Sequence, residues 1–409
     1  MIRGMRALAL FAFLAFVSFA VPGEDDGAAA PGPRKAAVEK LLRERPRDAA
    51  LWFYLARVDA AAGDARGCAA ALDKAGELGD GFLPAREQGF EKVWNDPAFE
   101  AARARLESRL PRLDYAPIAF ELEDTALVPE GIAYDAPSKS FFVGGVAGHR
   151  IVRIDESREE SEFAGPAAGL DAVLGLAVDA PRRRLYAVTT SAISEPATKP
   201  ARNAVVAFDL VTRAVVKRFD VRGAAQLNDV AVAAGGRVYA TDSGAGAVYE
   251  IPAQGDPRAL VPSGALPGAN GIAASPDGRR LYVAHATGIA MVDVASGAVK
   301  RMAVASRENV AAIDGLYQWQ GMLIGVQNVT NPGRVIAIAL ARDGESIVGV
   351  RTLLSHHQRG LDEPTTGAIG PDGFYLLAAT GVGHVGAQGR IERPDSVPKP
   401  TVLRVLLPR

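Results

Sequence analysis

Four oxygen-bearing side chains, Glu130, Asn228, Asn270 and Asp314, recur at one phase of a repeated pattern in this chain. Each is followed by Gly or Asp and then by an apolar run: Glu130-Gly131-Ile132-Ala133, Asn228-Asp229-Val230-Ala231, Asn270-Gly271-Ile272-Ala273 and Asp314-Gly315-Leu316-Tyr317. Two carboxylates and two carboxamides, without sulfur or imidazole, suit a hard divalent cation: Ca²⁺ first, with Mg²⁺, Mn²⁺ or Zn²⁺ as alternatives. Taken singly, Asn-Gly, Asn-Asp and Asp-Gly are common turn dipeptides, and a polar residue in a wet channel needs no ligand. The argument for a site is the shared phase, with core positions Ile132, Val230, Ile272 and Leu316 two residues further on. A cation held there polarises a carbonyl and acidifies bound water. Asp314 can both ligate it and accept a proton, while Asn228 orients the carbonyl.

The elements that must bring these residues together are short strands. Runs such as Phe141-Phe142-Val143, Arg184-Leu185-Tyr186-Ala187-Val188 and Arg280-Leu281-Tyr282-Val283-Ala284 are bounded by Gly, Pro, Asp and Ser turns. Two further copies of the pattern start at Leu174-Gly175 and Thr366-Gly367, which makes six copies at a spacing of roughly 40–55 residues. Several strands per copy at that period predict a six-bladed β-propeller over 115–409, in which the copies converge on a central channel. The run Thr401–Leu407 is expected to help close the ring.

Residues 115–409 resemble the SMP-30/gluconolactonase/LRE family. The resemblance rests on Glu130-Gly131, Asn228-Asp229, Asn270-Gly271 and Asp314-Gly315, with the second copy skipped. It implies that Glu130, Asn270 and Asp314 hold one divalent cation at the channel mouth, and that Asn228 contacts substrate or completes the site. Gln226 stands where sugar lactonases of that family carry an Arg that grips substrate hydroxyls, and Leu174 makes one wall apolar. The Gln226 departure argues against a simple aldonolactone.

Before the propeller the period is helical. Residues 34–112 resemble a tetratricopeptide unit, with Trp52 and Leu55 on one helix, a Gly63-Asp64 turn, and Ala69-Ala70-Ala71 on the next. A further helix starts at Asn95-Asp96-Pro97-Ala98-Phe99 and runs to about Leu110. The segment lies outside the family pattern and reads either as packing or as a docking module for a protein partner.

Residues 21–33 read as a Pro/Gly/Ala linker, and residues 1–20 as a cleaved leader. Arg3 and Arg6 precede an apolar run from Ala7 to Ala20 that ends in Ser18-Phe19-Ala20. An uncleaved anchor is the alternative, but the run is shorter than the roughly 20 residues of a spanning helix. The expectation is export to the periplasm or outside the cell, with no membrane span after cleavage. Cys68, the one cysteine, leaves no internal disulfide and reads as a small buried hydrophobe.

With 46 basic against 47 acidic residues, the chain has no nucleic-acid footprint. No Gly-x-Ser-x-Gly elbow or phosphate-cradling loop occurs. His149 and His285 read as loop or core residues, His356-His357 as surface, and Arg182-Arg183-Arg184 as a solvated hairpin tip. Two functions remain: a metal-dependent lactone or ester hydrolase with Asp314 and Asn228 catalytic and Asn228 and Gln226 on substrate, or a non-catalytic propeller that binds a ligand or partner.

Overall fold

The computed structural model describes residues 31–196 and 198–408. The expected leader and most of the expected linker lie outside the described residues. Among these residues, four α-helices precede a six-bladed propeller: α1 (Pro31–Glu44), α2 (Ala49–Ala62), α3 (Ala65–Leu78) and α4 (Pro97–Glu107).

The helices end where the local chemistry dictates. Gly63 terminates α2 in the left-handed conformation at φ 84°, and Asp64 then caps α3 by accepting from Gly67 N at 2.9 Å. Asp96 caps α4 through Ala98 N, and Pro97 takes the first turn, where its missing N–H costs nothing. Their apolar faces bury Leu51, Phe53, Leu72 and Phe99 together with Phe82 and Phe90. The Phe53 ring lies 5.5 Å from that of Phe82 and 5.8 Å from that of Phe90, and each such ring contributes roughly 2–3 kcal/mol of burial. Cys68 is a free, buried thiol in this core, as its isolation in the sequence suggests.

The propeller follows the repeat. Its innermost strands are Pro129–Asp135, Ala172–Asp179, Leu227–Val232, Ile272–Ala274, Ile313–Trp319 and Gly367–Ile369. Each is followed by antiparallel neighbours, so every blade is a sheet of four or five strands. The C-terminal strand Thr401–Val405 is the third strand of blade 6 rather than its edge. The edge is Ile118–Glu121, from the start of the propeller, which pairs with it. Closure thus joins both ends of the propeller in one sheet and removes an exposed strand edge.

The three arginines after Pro181 are not a free tip. Arg183 forks onto both oxygens of fully buried Asp135 in blade 1, at 2.6 and 2.9 Å, and so holds that carboxyl below its ordinary pKa against the cost of burial. Arg182 reaches Asp179 in its own blade and the carbonyl of Gly235 in blade 3, and Arg184 pairs with Asp209. Guanidinium groups therefore bridge blades at the end of the channel opposite the candidate ring.

The helical segment packs on the propeller. Ala286, Ala311 and Ala312, from loops of blades 4 and 5, belong to the same apolar core as the helices. Tyr54 Oη donates to Ala286 O at 2.7 Å, Leu83 N to Thr330 O at 2.9 Å, and Asn309 N to Asp80 O at 2.8 Å. These loops lie where the innermost strands begin, so the helices cover part of that end of the channel.

Candidate functional site

Local backbone irregularity aims the ring residues inward. In blade 1 the pairing register slips between Pro129 and Gly131, at Glu130. It slips between Val173 and Leu176 at Leu174, between Leu227 and Val230 at Asn228-Asp229, and between Ile313 and Leu316 at Asp314. Bulges re-aim a side chain and sharpen local twist, and here they fall at the repeat position that points at the axis. In blades 4 and 6 the innermost strand starts just after Asn270-Gly271 and Thr366, with the same effect.

The glycines of the motif have a separate cause. A Cβ on Gly131 would stand 2.0 Å from Leu174 O, and one on Gly271 would stand 2.4 Å from Asp314 O. In blades 1 and 4 the ring residue is thus followed by a gap that the next blade's backbone fills. In blade 3 the gap position is Asp229 instead of Gly. Its carboxylate accepts from Val230 N at 2.8 Å and from Ile272 N of the next blade at 3.2 Å.

All four residues singled out as ligands are buried around the channel: Glu130, Asn228, Asn270 and Asp314 are 4–8% exposed. Asn270 Nδ2 donates to Asp314 Oδ1 at 2.8 Å, and Asn328 Nδ2 donates to Asp314 Oδ2 at 2.5 Å and to Pro364 O at 2.9 Å. Both amides therefore give their N–H groups to the protein and leave Asn270 Oδ1 and Asn328 Oδ1 buried without a hydrogen-bond partner, as is Glu130 Oε2. The carbonyl of Glu130 accepts from Thr365 Oγ1 at 3.0 Å and from Thr366 Oγ1, which fixes the backbone that carries the acid. The Asn228 side chain makes no hydrogen bond among the described residues. Gln226, two residues before it in the chain, is buried, with its backbone N–H held by Asp242 Oδ1 at 2.9 Å.

Among the described residues, no positive charge meets the site. Burial, and then the charges of Asp314 and Asp229, hold Glu130 well above the ordinary carboxylate range. Burial pushes Asp314 up to about 7 despite the two Asn donors, and it pushes Asp229 to about 7 despite its two backbone donors. No cationic side chain figures among the charges that act on these three. Buried carboxylates normally pair with a cation or bind a metal, so the three orphaned oxygens and the uncompensated charge fit a divalent cation. The three carboxylates do not themselves converge within 4.8 Å as a trio; the amide oxygens lie between them in the ring order.

The sequence pattern passed over Asp229, Asn328 and Tyr317. Asp229 breaks the Gly rule of its motif, which was a readable signal. Tyr317 Oη accepts from Gly367 N at 2.9 Å, and its pKa is raised by burial and then by Asp229, Glu130 and Asp314. Asn328 lies in a loop with no repeat phase. From the far end of the channel, a cavity of about 450 Å³ runs up between the six innermost strands to Asp229 and Tyr317.

The histidines stay out of the ring. His285 is buried beneath the helices, and burial, with Arg301 and Arg45 nearby, lowers its pKa to about 3. His356, expected at the surface, has a side chain only 13% exposed and packs against α4.

Residues 128–317 match the family described as the SMP-30/Gluconolactonase/LRE-like region, a span that contains all four ring residues. Among solved structures, a gluconolactonase from Xanthomonas campestris is similar at 18% identity and TM-score 0.48, over 73% of this chain and 91% of that one. A luciferin-regenerating enzyme is similar at 15% identity and TM-score 0.48, over 71% of this chain and 95% of that one. No curated protein matches this sequence.

Proposed function

We propose that this propeller, which carries an SMP-30/gluconolactonase/LRE-like region over residues 128–317, hydrolyses a lactone or ester with the help of one divalent cation. The observation that carries the reading is the ring of buried carboxylates and amide oxygens with no positive charge to meet it. Glu130, Asn270 and Asp314 would hold the cation, with Asn228 as a fourth oxygen; Ca²⁺ suits this donor set first. When bound, such a cation supplies Lewis-acid polarisation of the carbonyl and acidifies water.

The chain's own groups divide the remaining work. Asp314 has its oxygens oriented by two Asn donors, Asn270 and Asn328, which fixes the carboxylate for holding the cation and for accepting a proton from water. Asn228 keeps an unengaged carboxamide to orient the substrate carbonyl. Gln226 offers two N–H donors and an acceptor oxygen, without charge, where a guanidinium would offer a charged five-donor fork. With the apolar Leu174 at the ring position of blade 2, this favours a substrate less hydroxylated than an aldonolactone.

The second reading is a ligand-binding propeller in which the cation only braces the channel. It is favoured by the helical segment, which packs over the loops at the ring end. The outer face of that segment would then meet a protein partner. Export, read from the N-terminal 20 residues, belongs to both readings.

A panel of lactones and aryl esters, assayed with and without EDTA, tests the proposal. Turnover that EDTA abolishes and Ca²⁺ or Mn²⁺ restores supports the hydrolase. A metal-loaded protein inert to the whole panel favours the binder.

A further inference from the structure

A second cluster of ligating groups lies at the seam between the helices and the propeller. Glu107 ends α4, while His356 and His357 sit in the connection from blade 5 to blade 6. One ligand atom from each falls within 4.8 Å of the others, the one such group of His, Cys, Asp or Glu among the described residues. His356 Nε2 lies 3.5 Å from Glu107 Oε1. Two ligands about 2.05 Å from a tetrahedral zinc are separated by roughly 3.3 Å, so this pair is already near coordination spacing.

The surroundings orient each ligand. Arg103 binds the other oxygen of Glu107 at 3.0 Å, which turns Oε1 toward His356, and Arg103 is itself seated 5.3 Å over the Trp94 ring. Ser355 Oγ stands 3.1 Å from His357 Nδ1 and 3.2 Å from Leu113 O. With the hydroxyl proton given to Leu113 O, His357 donates from Nδ1 and presents a lone pair at Nε2. Such outer partners orient metal-binding histidines. Both ring nitrogens of His356 are buried without a hydrogen-bond partner. Beside His356 and Glu107 opens a cavity of about 280 Å³, also lined by Trp94 and Pro332, with room for a water as fourth ligand.

We propose that Glu107, His356 and His357 form a zinc site, separate from the channel, that pins α4 to the blade 5–6 connection. Two imidazoles and one carboxylate are a donor set for Zn²⁺ rather than for the hard cation of the channel. Because the ligands come from two parts of the chain, binding stabilises the docked arrangement over any in which the helices lift away.

The test is titration of Zn²⁺ alone into the full chain carrying Glu130→Gln, which weakens the channel site. One equivalent is expected to bind and to raise Tm, and Co²⁺ in its place is expected to give the visible spectrum of a tetrahedral site. Adding His356→Asn or Glu107→Gln should weaken binding by more than about 100-fold, beyond the loss from an outer-shell change, with the metal-free Tm and circular dichroism kept. Zn²⁺ bound as tightly by those variants would overturn the proposal. So would the absence of binding in the Glu130→Gln protein, a result that needs no seam variant to fold.

Discussion

Asn328 donates its side-chain amide to Asp314 Oδ2 at 2.5 Å, while its own backbone carbonyl accepts from Gln88 of the helical segment. A residue outside the propeller is thus two hydrogen bonds from the carboxylate at the centre of the candidate site. Replacing Asn328 with Ala frees Asp314 Oδ2 and removes one orphaned oxygen. Affinity for the divalent cation is expected to fall by about 10–100-fold, measured by calorimetric titration on protein whose circular dichroism is unchanged. An unaltered affinity would show that Asn328 only packs.

Asp314→Asn keeps the shape and removes both the charge and the proton acceptor. Turnover of any ester or lactone found in the substrate panel should drop by about 10²–10⁴-fold. The Glu130→Gln/Asp314→Asn protein should lose its equivalent of bound metal, read by elemental analysis beside wild type. Full turnover in Asp314→Asn would remove it from the mechanism.

His285 makes stability depend on pH. Its folded pKa, about 3, lies below the ordinary 6.5 because burial disfavours the charged ring. Between those values the unfolded chain binds a proton that the folded chain does not, so this contribution is complete above pH 6.5 and is lost as pH falls toward 3. By pH 5 the loss amounts to about 2 kcal/mol. Urea melts at pH 7 and pH 5 should show a smaller acid loss in His285→Gln than in wild type, and equal losses would place the acid sensitivity elsewhere.

Gly131→Ala tests the close approach between blades 1 and 2. The added Cβ meets the Leu174 carbonyl at 2.0 Å, a backbone atom that cannot swing aside. The cost is expected near the upper end of overpacking, about 3 kcal/mol, in chemical denaturation. A cost below about 1 kcal/mol would mean that the ring can expand there.

The propeller was legible because its signal is local and repeated. Turn chemistry and a short apolar run mark each innermost strand, and six copies at one phase leave little choice of architecture. The ring residues Glu130, Asn228, Asn270 and Asp314 were legible for the same reason: equivalent positions of a closed ring must meet at its axis. The helices were legible too, from Asp64 and Asp96 at their starts and Gly63 at a stop. Asp229 was half legible, since only the missing glycine flags it.

What the sequence by itself determined, then, is everything periodic: blade number, the phase that faces the channel, and the oxygen character of that phase. Tertiary structure decided whatever depends on closure and docking. It placed Asn328 on Asp314, Arg183 on Asp135, the edge strand Ile118–Glu121 in the last blade, and Glu107 beside His356. None of these pairs shares a repeat phase. Each is set by where a loop lands once the ring has closed and the helices have buried their apolar face on it, and short-range propensity does not encode that geometry.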